Sequence, residues 1–249
     1  IIGNAYVEPK MISQVILPFY YFGLLEKEQI DIVRPLIEAF QSDIAANRSV
    51  EAKTKWGTLI LVLLNLSHQK HAYNFLQDEL MAGGYTPFLE RADVKKALHV
   101  GDIQFSFVNV TVNTAMAPDF LSNAKPLFET LLDHYKVLAY CGQLDQMLPC
   151  ALSADMYRTW RWKASSEFLK ATRHPFIFNN RVAGYHKSGG GLTWVVVRGA
   201  GHMVPQNKPA PAQEMVTLWT HSRPLPKPTN TLSLDILTKI VKNSTVIYL

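Results

Sequence analysis

The sequence predicts an α/β protein, a mostly parallel β-sheet that carries a helical insertion. Two short runs carry the prediction. Lys136-Val137-Leu138-Ala139-Tyr140 is apolar and ends at Cys141-Gly142, and Thr193-Trp194-Val195-Val196-Val197-Arg198 is β-branched and ends at Gly199. Both read as buried strands bounded by turns. A helical pattern follows each, over about 149–162 and 209–221, and strand–loop–helix units of this kind build parallel sheets. The third observation is the helix-rich stretch from about 10 to 125 that precedes them and reads as an insertion over the sheet.

The elements follow in chain order. Ile1-Ile2 before Gly3-Asn4 is an apolar pair stopping at a turn, which reads as the end of a buried strand. A strand cut near its end implies residues before Ile1. Ile30, Val33, Ile37 and Phe40 recur near 3.6 spacing, placing helix within 10–40. Trp56, Leu59, Leu63 and Leu66, then Phe75, Leu76 and Leu80, extend a helix over 51–82, stopped by Gly83-Gly84. Asp93 is a good N-cap for a helix through Leu98. Residues 118–134 form a further amphipathic helix. Gly189-Gly190-Gly191 marks a flexible turn, and Pro224, Pro226 and Pro228 end the compact region. The chain thus divides into a strand end of the core (1–10), a helical insertion or cap (11–125), the core with its functional turns (126–223) and an amphipathic tail (224–249).

Composition narrows the classes. The chain has 249 residues, 48% hydrophobic and 18% charged, enough to bury a sizeable core and too apolar for disorder. Its net charge is +5, but the basic residues are scattered, with no run longer than Lys95-Lys96. That argues against nucleic acid as a partner. The strongest apolar stretch, 58–66, is far short of the ~20 residues a membrane span needs. Four N-x-S/T sequons, at Asn47, Asn65, Asn109 and Asn243, favour the secretory pathway and glycosylation. The two cysteines, Cys141 and Cys150, fit either one bridge or two buried thiols.

Two turns at strand ends hold acid–base residues. They are Tyr140-Cys141-Gly142-Gln143-Leu144-Asp145 and Gly199-Ala200-Gly201-His202-Met203-Val204-Pro205. In open α/β sheets functional groups gather beyond the carboxyl ends of strands, and glycines let the backbone turn sharply there. An Asp followed by a His on such turns matches the last two members of the hydrolase triad order Ser…Asp…His. In that chemistry the Asp fixes the imidazole tautomer and the His moves the proton. His68, His71, His99, His134, His174, His186 and His221 have no comparable context. His68 and His71 are three apart, but no carboxylate or cysteine completes a metal set, so no metal or cofactor is expected.

Here the sequence resembles the serine carboxypeptidases, which have the α/β-hydrolase fold. Gly199 through Pro205, with Lys208-Pro209, Met215 and Trp219, is similar to the family's histidine signature, and Tyr140 through Asp145 to its aspartate signature. Ile2-Gly3-Asn4-Ala5 with Pro9 resembles the strand end after the family's serine helix, with Ala5 in place of the usual glycine. Phe22-Gly23-Leu24-Leu25, Val94 and Ala97-Leu98-His99-Val100 also fit. Tyr140–Asp145 and Val182-Ala183-Gly184-Tyr185 look closest to the vitellogenic-carboxypeptidase-like branch. The resemblance spans roughly 1–223. It implies Asp145 and His202 as catalytic acid and base, and Met203 as lining for the leaving residue.

The departures matter equally. The family's nucleophile lies in a Gly-Glu-Ser-Tyr-Ala-Gly motif, and no G-x-S-x-G pattern occurs in this sequence. The insertion carries no cysteine, and the tail has no family counterpart. The resemblance therefore implies the C-terminal part of an α/β-hydrolase-type exopeptidase acting on peptides. Its serine would lie upstream or in a companion polypeptide, and a homodimer is left open. A non-catalytic binding or storage protein on the same fold is the alternative, and an acyltransferase would use the same triad. The implied location is secreted or lysosomal/vacuolar.

Overall fold

The computed structural model describes residues 1–79 and 84–227. Strands β1 (Ile2–Gly3), β2 (Val137–Gly142), β3 (His174–Phe178), β4 (Arg181–Gly189) and β5 (Leu192–Val197) form one sheet in the order β1-β2-β5-β4-β3. The pairs β1–β2 and β2–β5 are parallel, whereas β4–β5 and β3–β4 are antiparallel. The sheet is therefore mixed, not mostly parallel. The correction comes from the β3–β4 hairpin. Its strand β4 carries Gly184, His186, Lys187 and Ser188, which hide a strand from an apolar-run search. What marks it is the turn. Asn179 and Asn180 both sit at positive φ (48° and 58°), the backbone that a two-residue hairpin turn requires and that Asn tolerates.

Between β1 and β2 lie α1 (Ile16–Tyr21), α2 (Lys27–Ala45), α3 (Ser49–Leu66), α4 (Thr86–Leu89), α5 (Ala92–Leu98), α6 (Val110–Ala115) and α7 (Lys125–Leu132). After β2 come α8 (Cys150–Thr159) and α9 (Ser165–Lys170), and after β5 come α10 (Val204–Asn207) and α11 (Pro209–Thr220). Helix α2 opens on a capping box between Glu26 and Gln29 and buries Val33, Ile37 and Phe40. It packs against α3, which buries Ala52, Leu59 and Leu63. The buried Asp43 ties the pair together through Arg48 (2.6 Å) and Lys55. The Lys55 ammonium, with Arg48, holds the Asp43 carboxyl below its usual range.

Two expected helices are shorter, and a third starts earlier than expected. The helix expected over 51–82 ends at Leu66. Ser67 folds its hydroxyl back onto the Leu63 carbonyl (2.7 Å), and His68 turns left-handed (φ 54°). Phe75 and Leu76 keep the apolar period by coincidence and lie in an irregular segment. Leu80 and Gly83 fall outside the described residues. The helix expected over 118–134 runs only from Lys125 to Leu132. Pro126 lies in its first turn, where a missing N–H costs nothing. Helix α5 is capped at Arg91, and Asp93 sits inside it, paired to Arg91 at 2.6 Å. The tail expected over 224–249 is described only to Lys227.

Both faces of the sheet are covered. Val137, Ala139 and Cys141 of β2, with Trp194 and Val196 of β5, join Phe19, Phe40, Leu63, Met156 and Trp160 in one core. Leu138, Val195 and Val197 face the other way, against Phe176 and the α11 residues Ala212, Met215 and Leu218. The alternation is the period-2 signature of a strand buried on both sides. No helix among the described residues is long and apolar enough to cross a membrane.

One buried group makes stability depend on pH. His186 of β4 is 8% exposed, and neither ring nitrogen has a hydrogen-bond partner. It pairs in register with His174, ring centroids 5.9 Å apart. Burial, then the charges of His174 and Lys227, lower its pKa from 6.5 to about 4. The folded state thus disfavours the proton that the unfolded chain takes up. Its stabilisation is complete above pH 6.5 and drains away as pH falls toward about 4. Between pH 7 and pH 5 this group should remove on the order of 2 kcal/mol. Urea unfolding of the protein and of His186→Leu at both pH values checks this; equal pH sensitivity in the two would contradict it.

Candidate active site

Strands β2 and β5 are parallel neighbours, with Gly142 opposite Val197, so they end at the same rim of the sheet. The turns that leave them interlock. The Gln143 and Leu144 amides donate to the carbonyls of Val197 (3.0 Å) and Ala200 (2.8 Å). Glycine is required at 142, because a Cβ there would lie 2.0 Å from the Gly201 carbonyl oxygen.

This interlock brings the two sequence-predicted residues into contact. Asp145 Oδ2 lies 2.8 Å from His202 Nδ1. The other carboxylate oxygen accepts from the amides of Met147 (2.8 Å) and Leu148 (3.1 Å). The Asp145 side chain is fully buried, while that of His202 is 24% exposed. A carboxylate that accepts from Nδ1–H leaves Nε2, on the far side of the ring, to take up a proton. Of the two readings of the cysteines, the bridge is the one observed. Cys141 and Cys150 form a disulfide that ties the end of β2 to the start of α8 and brackets Asp145.

Several neighbours were not found from sequence. Asn4, just past β1 at positive φ, donates its side-chain amide to the His202 carbonyl. The His202 amide donates to the Tyr73 carbonyl (2.6 Å), and the two rings lie 5.2 Å apart. Gln146 donates its backbone amide to Ala72 O (3.2 Å) and its side-chain amide to Gln69 Oε1 (3.1 Å). The apolar period alone predicts helix across residues 69–77. The polar run Ser67-His68-Gln69-Lys70 was the available sign that the helix had already ended.

The remaining candidates are scattered. Met203 is exposed at the start of α10, beside His202. Asn47, Asn65 and Asn109 are all exposed, and Asn109 caps α6 by accepting from the Val112 amide (3.1 Å). Asn243 lies outside the described residues. His68 is exposed and His71 buried. Among the described residues no three His, Cys, Asp or Glu side chains gather into a metal-binding group.

Comparisons with known proteins place the chain among similar sequences and folds. The family described as serine carboxypeptidase matches residues 1–222. The venom serine carboxypeptidase of Apis mellifera is 29% identical over 233 residues, 89% of this chain and 50% of that protein. The vitellogenic carboxypeptidase of Aedes aegypti is 34% identical over 154 residues, 60% of this chain and 33% of that protein. The probable serine carboxypeptidase CPVL of Homo sapiens is 29% identical over 239 residues, 89% of this chain and 49% of that protein. The chain therefore spans about half the length of these relatives, or less. Among solved structures, Kex1(delta)p, a prohormone-processing carboxypeptidase from Saccharomyces cerevisiae, superposes with a TM-score of 0.69 at 19% identity. The match covers 88% of this chain and 53% of that one, and extends to the α/β-hydrolase fold.

The interlocked turns make a direct prediction. Gly142→Ala should force the two turns apart and destabilise the protein by on the order of 3 kcal/mol, lowering the melting temperature by roughly 6–12 °C. Gly57→Ala is the control. Gly57 lies within α3 with nothing within 4 Å of an added Cβ, so alanine should hold or raise the melting temperature. Equal melting temperatures for the two variants would count against the interlock.

Proposed function

The chain belongs to the serine carboxypeptidase family, and from that membership we propose that it provides the acid and base of a Ser-Asp-His triad in an exopeptidase that removes C-terminal residues from peptides. One observation carries the reading: the 2.8 Å contact between the buried Asp145 carboxylate and His202 Nδ1. In this reading Asp145 fixes the tautomer and stabilises the imidazolium. His202 Nε2 removes the proton from a serine hydroxyl as it attacks the substrate carbonyl, then delivers it to the leaving amine. Met203, exposed beside the histidine, lines the pocket for the leaving residue.

The serine comes from outside these 249 residues, on a preceding segment of the same product or on a companion polypeptide, since the sequence holds no G-x-S-x-G turn. Two features support such a partner. Among the described residues strand β1 stands at the end of the sheet order, with β2 beside it. Apolar side chains including Ile103, Phe107 and Val110 are more than 70% exposed, a surface that proteins normally cover. A secretory-pathway location, secreted or lysosomal/vacuolar, is supported by the Cys141–Cys150 bridge and by three exposed sequons. The absence of the serine turn also favours a second reading, a non-catalytic binding protein on the same fold.

In the assembled protein His202→Ala and Asp145→Asn should each lower turnover by about 10⁴-fold or more, and a fluorophosphonate probe should label a serine outside this chain. Near-native turnover in either variant would remove the assignment, and a protein that neither labels nor hydrolyses peptides would favour the binding reading. At least two of Asn47, Asn65, Asn109 and Asn243 should carry sugar. Intact mass before and after glycosidase treatment reads this directly, and an unchanged mass would argue against the secretory route.

A further inference from the structure

The turn that holds His202 has no polar side chain of its own ahead of the histidine, because Gly199-Ala200-Gly201 precedes it. Its orientation must be imposed by other groups. The side chains that impose it meet at Asn207, five residues on, at the end of α10. Asn207 Oδ1 accepts from the Gly201 amide (2.7 Å) and from Asn74 Nδ2 (3.2 Å), and Asn207 Nδ2 donates to Gln77 Oε1 (3.3 Å). Asn74 is itself 4% exposed, and its Oδ1 accepts from the Leu76 amide (3.1 Å). The contact leaves no slack: a Cβ on Gly201 would lie 2.2 Å from the Tyr73 carbonyl oxygen and 2.5 Å from Asn74 Cβ.

We propose that Asn207 is a positioning residue for the reaction. It clamps the Gly201 peptide against segment 69–77 and so fixes the direction in which the His202 ring presents Nε2. The inference rests on the reading of His202 as the base and adds a residue to it. An amide suits the position on chemical grounds. Its oxygen accepts two N–H groups and its nitrogen serves Gln77, all without charge. Alanine would lose all three bonds and leave the Gly201 amide, in a part-buried place, without its partner. Aspartate would keep both accepted bonds, lose the donor and add a negative charge at the Gly201 amide, one residue before His202, favouring the imidazolium.

The test uses the protein with its histidines isotope-labelled for NMR, as wild type, Asn207→Ala, Asn207→Asp and Asn74→Ala. Two readouts are taken: the His202 ring titration with its low-field Nδ1–H signal, and kcat and KM on a peptide. Asn207→Asp should keep the Nδ1–H signal and raise the His202 midpoint by about 0.5 pH unit or more, moving the acid limb of kcat/KM upward with it. Asn207→Ala should weaken the Nδ1–H signal and lower kcat by on the order of 10²-fold with KM within about two-fold. Asn74→Ala should do the same to a lesser degree. Melting temperatures that fall while kcat, the signal and the midpoint all stay at wild-type values would make Asn207 merely structural and overturn the proposal. If wild type cleaves no peptide, the proposed function fails, and the two NMR readouts alone decide for or against Asn207. If Asn207→Ala does not fold, Asn207→Asp decides by the same midpoint shift.

Discussion

The pairing of β2 with β5 is the constraint on which the rest depends. Six consecutive residues of each strand are matched in parallel, from Val137 opposite Leu192 to Gly142 opposite Val197. Parallel pairing is the one arrangement that sends both strands to the same rim. There a buried carboxylate and a part-exposed imidazole, 57 residues apart in the chain, meet at hydrogen-bonding distance. Antiparallel pairing would have put them at opposite ends of the sheet. The glycine at 142 then allows the turns to close on each other backbone to backbone, and the glycine at 201 lets the second turn lie against Tyr73 and Asn74.

The helices between β1 and β2 do not form a separate body resting on this sheet. Phe19, Phe40, Leu59 and Leu63, from α1, α2 and α3, share one core with Val137, Ala139, Trp194 and Val196 of the central strands. Dense packing of this kind transmits displacement rather than absorbing it. The same stretch between β1 and β2 supplies the carbonyls that receive the amides of His202 and Gln146. Core packing and dyad geometry are therefore parts of one mechanical unit.

What could be read from sequence follows from which atoms make each contact. Strands β2 and β5 were legible because burial on both faces demands unbroken apolar runs, and their turns because Gly142 and Gly199 punctuate them. Strand β4 was not, since Gly184 sits where a Cβ would strike the Val196 carbonyl, and polar residues fill much of the remainder. The end of the helix at Leu66 was obscured by Phe75 and Leu76, of which Phe75 serves tertiary packing, stacking on Phe22 with ring centroids 4.5 Å apart, while Leu76 is exposed. Asp145 and His202 were legible because their chemistry lies in side chains on turns with a recognisable pattern. The groups that steady them were not, because Ala72 and Tyr73 act through main-chain oxygens that every residue type possesses.

That last feature bears on how the protein can vary. A carbonyl oxygen is indifferent to the side chain beside it, so the support at 72 and 73 tolerates exchange of residue type wherever the space allows. It does not tolerate a change in chain length. Removing or adding one residue between the end of α3 and Asn74 would shift the carbonyls by a full peptide, about 3.8 Å along the chain, and carry them out of reach of both amides. Positions 72 and 73 should therefore accept substitution where space allows while the stretch stays closed to insertion and deletion, the reverse of the pattern expected for a surface connection between helices.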